Sequence, residues 1–266
     1  MSAELTWSEL KSGSAFQARI IGALMLREMR TRFGEYHFGY VWALIEPVVQ
    51  IGILSGMFYV LGARPPLGMS YEAFFFTGYV TFAIFRDLST RGSTSVSANR
   101  ALLALPPVRN MDAIWARLGL EVMTSVASVS FLIAIFLYLE VPIVPADPLR
   151  VGQGFAAMLV LGAGFGILNA VLVAMIKPWS MILSWMMRLQ YIFSGVFFLP
   201  EKLPPVALDI LVWNPASHGI ALVREGFYSG YKCNILMSPY PFVVGGALAV
   251  LGLTLEKLFR RRVDAK

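Results

Sequence analysis

Residues 191–231 read YIFSGVFFLPEKLPPVALDILVWNPASHGIALVREGFYSGY. The stretch begins as an apolar run, breaks at Pro200, Pro204, Pro205 and Pro215, and becomes apolar again without room for two further spans. A bilayer core needs about 20 apolar residues per helix, and unpaired backbone groups cannot face lipid. The broken part must therefore be shielded by protein or lie at the interface, which is typical of membrane proteins that move a substrate.

The composition indicates an all-α integral membrane protein. Of 266 residues, 57% are hydrophobic and only 14% are charged, which exceeds what a soluble core requires. Apolar runs of spanning length predict six transmembrane helices, at about 40–62, 71–91, 113–140, 150–176, 180–200 and 238–257.

The basic residues predict the orientation of the chain. If both termini lie in the cytoplasm, sixteen of the 22 lysine and arginine residues fall on that side and five on the other, while Arg188 falls inside a span. Basic residues concentrate on the cytoplasmic side of membrane proteins, so we expect both termini there. Because no basic run is interleaved with aromatic residues in a soluble domain, we expect no nucleic-acid partner.

The sequence contains no recognisable catalytic constellation. It has no G-x-x-x-x-G-K-[ST] phosphate loop, no D-x-D pair and no H-E-x-x-H motif, so we expect no catalytic residue, metal or cofactor on this chain. Cys233 is the single cysteine, which excludes an intrachain disulfide. The work of this protein must then be driven by a gradient or by a partner.

A helix on the cytoplasmic membrane surface is predicted within residues 1–39. Ile21, Met25, Met29 and Phe33 recur every four residues, and Arg27 faces away from this stripe. Such a pattern is typical of a helix that lies at the interface. The alternative is a membrane-proximal basic segment that only sets the topology.

The loop at about 92–112 carries apolar residues on the cytoplasmic side. It is rich in Ser and Asn up to Asn99 and then contains Leu102, Leu103 and Leu105. Exposed leucines are costly unless they are covered. They predict either a short helix packed on a partner protein or a cover for the ends of this chain's own helices.

These stretches together resemble the permease subunits of type-2 ABC exporters, and specifically the capsular polysaccharide branch. In that family R-[DE]-x-x-x-R-[YF] precedes G-x-x-W-x-x-x-x-P, and the matching residues here are Arg27, Glu28, Arg32, Phe33, Gly39, Trp42 and Pro47. The family's S-G-x-x-F, Pro-rich hairpin and N-P match Ser194, Gly195, Phe198, Pro204, Pro205, Asn214 and Pro215. The branch is indicated by His218, Arg224, Glu225 and Gly226.

The resemblance implies a bacterial inner-membrane homodimer with both termini in the cytoplasm. It also implies two copies of a separate ATP-binding subunit, which bind ATP and Mg and supply the energy of ATP hydrolysis. The domains would be a cytoplasmic segment at 1–39, a transmembrane domain at 40–257 and a basic cytoplasmic tail at 258–266. The family's coupling helix maps onto the 92–112 loop. The residues expected to couple to the ATPase are Arg27, Arg32, Asn99, Arg100, Leu103, Leu105 and Pro106.

Polar residues inside the predicted spans are the candidates for a substrate pathway. Helical spacing places Trp42, Glu46 and Gln50 on one face of span one, and Ser184, Arg188 and Tyr191 on one face of span five. In one interpretation aromatic rings stack on sugars, and Arg188 attracts acidic groups of the polymer or its phospholipid anchor. In the other, Glu46 and Arg188 neutralise each other and only hold the bundle together.

The broken stretch after span five is expected to form a periplasmic re-entrant helical hairpin at about 200–231 that acts as an outer gate. Its candidate residues are Phe198, Pro204, Asn214, Pro215 and Arg224. The expected cargo is a lipid-linked acidic capsular polysaccharide, with a periplasmic or outer-membrane export partner as a further expectation. Alternatives are an O-antigen or teichoic-acid exporter, a gradient-driven transporter and a membrane glycosyltransferase.

Overall fold

The computed structural model describes residues 7–33, 39–62, 66–68, 70–103 and 108–264, and every regular element in this part of the chain is helical. The first half contains α1 (Trp7–Phe33), α2 (Gly39–Val60), α3 (Tyr71–Phe75), a π-helical turn (Phe76–Val80), α4 (Thr81–Ser93), α5 (Ser95–Ala98) and α6 (Arg100–Leu103). The second half contains α7 (Asn110–Tyr138), α8 (Pro148–Met175), α9 (Trp179–Phe193), α10 (Pro205–Leu211), α11 (Pro215–Phe227) and α12 (Tyr240–Asp264). Short 3-10 turns occupy Pro66–Gly68 and Pro200–Lys202.

Among the described residues, four helices are long and apolar enough to cross a membrane. They are Val41–Val60, Asn110–Tyr138, Pro148–Met175 and Tyr240–Phe259, and they coincide with the first, third, fourth and sixth predicted spans. The α10 and α11 pair passes the same test together, with a bend of 99° between the two helices, which raises the count to five. The prediction of an all-α integral membrane protein is confirmed at this level.

The second predicted span is helical but not one regular helix. The π-helical turn Phe76–Val80 joins α3 directly to α4, so the backbone stays helical from 71 to 93. Gly78 lies in this turn, where a β carbon would meet Arg224 Nη2 at 2.9 Å and the Val196 carbonyl oxygen at 3.0 Å. The absence of a side chain therefore permits close packing of the turn against the outer part of the molecule.

The centre of the fold is α8, which packs against α4, α11 and α12. Asp147 begins this helix by accepting a hydrogen bond from the Arg150 backbone N–H at 3.1 Å, with Pro148 at the first helical position. Gly245 of α12 lies so close to α8 that a β carbon would be 2.7 Å from Leu161 Cα. Small residues thus let the backbones of these helices approach closely.

The N-terminal helix α1 packs against α7. Within residues 13–32 of this helix, whose burial is described, Leu24 and Glu28 are buried, while Phe16 and Leu26 are 50% and 56% exposed. Leu24 lies outside the predicted stripe, so the buried face is rotated toward Leu24 and Glu28. The rotation has a physical reason, because the Glu28 carboxylate has hydrogen-bond partners on that side.

The fifth predicted span, 180–200, is shorter as a helix than predicted, because α9 ends at Phe193. Gly195 has φ +87°, in the left-handed region that favours glycine, and this turns the chain out of the helix. Asn214 then begins α11: its Oδ1 accepts from the Ala216 N–H at 3.1 Å, and its Nδ2 donates to the Phe193 carbonyl at 3.0 Å. The cap of α11 is therefore tied to the end of α9.

Candidate pathway, coupling and gate sites

The predicted pathway residues lie mostly on open faces of α2 and α9. Trp42 is 62% exposed and Glu46 is exposed, while Gln50 is half-buried. Ser184 and Arg188 are also exposed. In this single chain, both faces are free to contact lipid, substrate or another protein.

Glu46 and Arg188 make different contacts. The Arg188 guanidinium lies over the Trp185 ring at 5.2 Å from its centroid. Within the described part of the chain, the ion pairs do not include one between Glu46 and Arg188. Tyr191 makes an aromatic contact: the centroid of its ring lies 4.9 Å from that of the Phe197 ring, within an aromatic cluster.

Glu46 instead borders a polar cavity of about 50 Å³ between α2, α4 and α7. Arg86 and Asp87 line the same cavity and form an ion pair at 2.9 Å. A cavity of this size can hold a small number of water molecules beside its polar groups. Arg86 is one of the sixteen basic residues counted on the cytoplasmic side from the sequence, although its position inside the predicted 71–91 span indicated that it could line the interior.

The structure brings together Arg27 and Asn99, two of the residues predicted to couple to the ATPase. Arg27 Nη1 donates to Asn99 Oδ1 at 2.9 Å, and Asn99 Nδ2 donates to Glu28 Oε1 at 2.7 Å. Arg117 of α7 also donates to Glu28, at 2.9 Å. The predicted surface helix and the predicted coupling loop therefore touch directly, through a carboxylate that lies between them.

Arg32 lies in a second cluster nearby. Its Nη1 donates to Glu121 Oε1 at 2.7 Å, and Arg91 reaches the other oxygen of Glu121 at 3.4 Å. Burial lowers the pKa of Arg32, while the Glu121 carboxylate acts in the opposite direction. Sequence reasoning missed Glu121, because it falls within an apolar span and has no motif around it.

The remaining residues predicted to couple to the ATPase are Arg100, Leu103, Leu105 and Pro106. Arg100 is exposed at the start of α6, and the backbone of Leu103 ends that helix. Leu105 and Pro106 lie outside the described residues, so their predicted contact with a partner has no structural counterpart here.

Of the predicted outer-gate residues, Arg224 contacts the backbone of Phe198. The Arg224 side chain is 1% exposed, and its guanidinium donates to the carbonyl oxygens of Gly195 at 2.7 Å, Phe198 at 2.9 Å and Val196 at 3.0 Å. It also lies 4.1 Å from the centroid of the Phe74 ring. Arg224 therefore holds the turn that follows α9, a role that the motif alone did not reveal.

Pro204, Asn214 and Pro215 shape the helix ends of the same region. Pro204 precedes α10 and is exposed, whereas Pro215 is buried as the first residue of α11. His218 of α11 contacts the Val212 carbonyl through Nε2 at 2.8 Å and accepts from the Met237 N–H through Nδ1 at 3.1 Å. His218 thus ties α11 to the backbone before it, at Val212, and to the segment that leads into α12, at Met237.

A wide groove of about 480 Å³ lies next to this hairpin. Arg150 and Glu225 pair on its wall at 2.5 Å, and Glu225 Oε1 accepts from the Cys233 N–H at 2.7 Å. Burial raises the pKa of the Cys233 thiol to about 11. Since the thiolate is the reactive form, this cysteine is expected to be unreactive at neutral pH.

The described residues contain no group of three or more His, Cys, Asp and Glu side chains placed to hold a metal ion. The described residues show four or five apolar segments long enough to cross a membrane, polar residues on open helix faces, an ionic cluster around Glu28 and Glu121, and a buried Arg224 that holds the turn after α9. These features define an all-helical integral membrane protein with polar sites between its helices.

The chain belongs to the ABC-2 type transporter family, which it matches over residues 19–228. It is 30% identical over 259 residues to the polysialic acid transport protein KpsM of Escherichia coli, covering 96% of this chain and 98% of the relative. It is 29% identical over 255 residues to the capsule polysaccharide export inner-membrane protein BexB of Haemophilus influenzae, covering 96% of each. For the capsule polysaccharide export inner-membrane protein CtrC of Neisseria meningitidis serogroup B, the identity is 27% over 250 residues, covering 94% of each. The resemblance to this family is therefore confirmed.

Proposed function

We propose that this chain is the permease subunit of an ATP-driven exporter that moves a lipid-linked acidic capsular polysaccharide across the bacterial inner membrane. The observation that carries the proposal is similarity over nearly the whole chain to three relatives named for polysialic acid transport or capsule polysaccharide export. The absence of a phosphate loop from the sequence fits a permease whose ATP and Mg are bound by a separate subunit.

The proposed topology has six spans with both termini in the cytoplasm. Four spans are the long apolar helices. The continuous helical backbone at 71–93 would supply the second, since at about 1.5 Å per residue it extends over roughly the 30 Å of a bilayer core. The fifth would be α9 together with the turn that follows it, and α10 with α11 would form a periplasmic re-entrant hairpin.

The proposed pathway runs between two copies of this chain. The open faces of α2 and α9 carry large apolar side chains, among them Ile53 at 61% and Trp185 at 60% exposure, which suits burial against lipid or a second copy. Trp42, Glu46 and Gln50 would line one wall, and Ser184, Arg188 and Tyr191 the other. Aromatic rings and an arginine suit the sugar faces and acidic groups of such a polymer.

Coupling to two ATP-binding subunits would occur at the segment that begins at Asn99. This segment continues directly from α4 through α5, so a push on it would reach the membrane without an intervening flexible linker. The outer hairpin would close the far end of the pathway, where a periplasmic or outer-membrane partner would receive the polymer.

The experiment that tests this function is complementation. The chain, with its cognate ATP-binding subunit, is expressed in a capsulated host whose own permease gene is deleted, and surface capsule is measured with a glycan-specific probe. We expect surface capsule to return, and the ATP-binding subunit to copurify with the chain. Restoration of O-antigen or teichoic acid but not of capsule, in parallel hosts, would refute the assignment of the cargo.

A further inference from the structure

Two carboxylates are buried at the cytoplasmic side of the bundle. Glu28 of α1 is 4% exposed, and Glu121 of α7 is 1% exposed. A buried carboxylate is unfavourable unless it is paired and hydrogen-bonded, and removing one partner leaves a charge uncompensated. The partners of these two groups are therefore held in defined positions.

Glu28 connects three elements. Its Oε1 accepts from Asn99 Nδ2 at 2.7 Å, and its Oε2 accepts from Arg117 Nη1 at 2.9 Å. The Asn99 amide also donates to the Ser95 carbonyl at 2.9 Å and accepts from Arg27 at 2.9 Å. Both ends of the amide are thus engaged, which fixes its orientation at the junction between α5 and α6.

Glu121 connects α1, α4 and α7. Arg32 lies at 2.7 Å, Arg91 at 3.4 Å and Arg117 at 3.9 Å from its carboxylate oxygens. Arg91 is in the last turn of α4, before the chain bends at Thr94. The chain is therefore tied to α1 and α7 on both sides of this bend, by Arg91 before it and by Asn99 after it.

We propose that Glu28 and Glu121 are positioning residues that join α1, the cytoplasmic end of α4, α5 and α7 into one rigid body. A displacement imposed on the segment after Asn99 is then delivered to α7 and α1 together with α4. In this assignment α1 is a mechanical part of the coupling apparatus, and not a segment that only sets the topology. Charge pairing at the two carboxylates acts beside the packing of Met25 of α1 near Gly119 of α7 and the Arg27–Asn99 hydrogen bond, and it is the part of the junction that joins the most elements at single points.

The first test measures rigidity and does not depend on the cargo. Leu26 and Trp115 are exposed on α1 and α7, and spin labels are attached there through Leu26→Cys and Trp115→Cys in a Cys233→Ser background. We expect the same label distance distribution in the complex with its ATPase, without nucleotide and with trapped ATP. With Glu28→Gln added, we expect the distribution to shift or broaden on ATP trapping. A nucleotide-dependent distance without that substitution, or no effect of adding it, would overturn the proposal.

The second test measures coupling and rests on the proposed function. Glu28→Gln removes the charge with little change of shape, and we expect at least a tenfold loss of export while the ATPase copurifies and still hydrolyses ATP. Arg30→Gln, on the exposed side of the same helix, is the matched control, and we expect it to export normally. Wild-type export by Glu28→Gln would contradict the assignment.

If Glu28→Gln fails to fold, Asn99→Asp is tested in its place. This substitution keeps the shape and places a second carboxylate beside Glu28, and the same loss of export is expected. Absence of export by the wild-type chain would refute the proposed function, and the label distances would still decide the rigid-body proposal.

Discussion

Replacing Arg224 by lysine should destabilise the outer hairpin although the charge is kept. The arginine uses two nitrogens to reach three carbonyl oxygens, those of Gly195 and Phe198 from Nη1 and that of Val196 from Nη2. Arginine stays protonated in proteins and presents its donors in a planar fork, whereas lysine concentrates them on one nitrogen. A lysine therefore cannot reproduce both arms of this contact.

The magnitude follows from the number of contacts. A hydrogen bond to a charged group is worth about 1.5–3 kcal/mol, so the loss of at least the Val196 bond should lower the free energy of unfolding by roughly that amount. Arg224→Met should cost more, because all three carbonyls lose this charged donor. The contact with the Phe74 ring at 4.1 Å would add to the difference, since a desolvated cation–π pair is worth about 2 kcal/mol.

Thermal unfolding of the purified chain in detergent, followed by fluorescence-detected size exclusion, measures this effect. Arg150→Lys is the matched control, because Arg150 is also an arginine beside the outer hairpin but pairs with Glu225 through one nitrogen. A lysine keeps the charge and can supply that single contact, so we expect only a small change in stability. Equal melting temperatures for Arg224→Lys and Arg150→Lys would refute the reasoning. We also expect capsule export to fall as the stability of the hairpin falls.

Three further predictions concern other parts of the molecule. Gly245→Ala should lower the melting temperature, because its β carbon would lie 2.7 Å from backbone atoms of α8 and overpacking costs about 1–3 kcal/mol. Gly246→Ala is the control, because open space surrounds that position, and it should melt normally. Arg188→Gln should abolish export and leave insertion and ATPase binding intact, as judged by copurification, and full export would remove Arg188 from the pathway. Cys233 should react slowly with maleimide at pH 7. The labelling rate should rise about tenfold per pH unit toward its pKa of about 11. Rapid labelling at neutral pH would contradict its buried position.

The long helices were predictable from the sequence because hydropathy alone defines them. α7, α8 and α12 each contain an uninterrupted apolar window, and their bounds lie close to the predicted ones. The second and fifth spans were harder to predict. A π-helical turn and a helix end at Phe193 depend on how Gly78 and Gly195 meet Arg224, and these contacts join residues far apart in the chain.

The candidate sites show the same contrast between residues that a local sequence pattern predicts and residues whose role depends on contacts between distant parts of the chain. The family motif singled out Arg27 and Arg32, because its spacing is local, and the mapping of the coupling helix onto the 92–112 loop singled out Asn99. It did not find Glu121, since a single carboxylate in an apolar run carries no signal until α1 and α4 bring arginines to it. Glu46 and Arg188 were predicted from helical spacing within spans one and five, and spacing along one helix does not determine how its face is directed relative to the other helices.

The π-helical turn Phe76–Val80 also sets the register between the two ends of the second span. An α-helix turns about 100° per residue, and a π turn accommodates one residue more than an α turn in the same length. Deleting one residue from this turn would let the helix close as a regular α-helix and would leave Phe74 and Arg91 in nearly the same relative orientation. Forcing residues 71–93 into regular α geometry without a deletion would instead rotate Arg91 by about 100° relative to Phe74, and the ionic cluster at one end and the arginine contact at the other could not then both form. A one-residue deletion within the turn should therefore be tolerated better than a one-residue deletion elsewhere in 71–93.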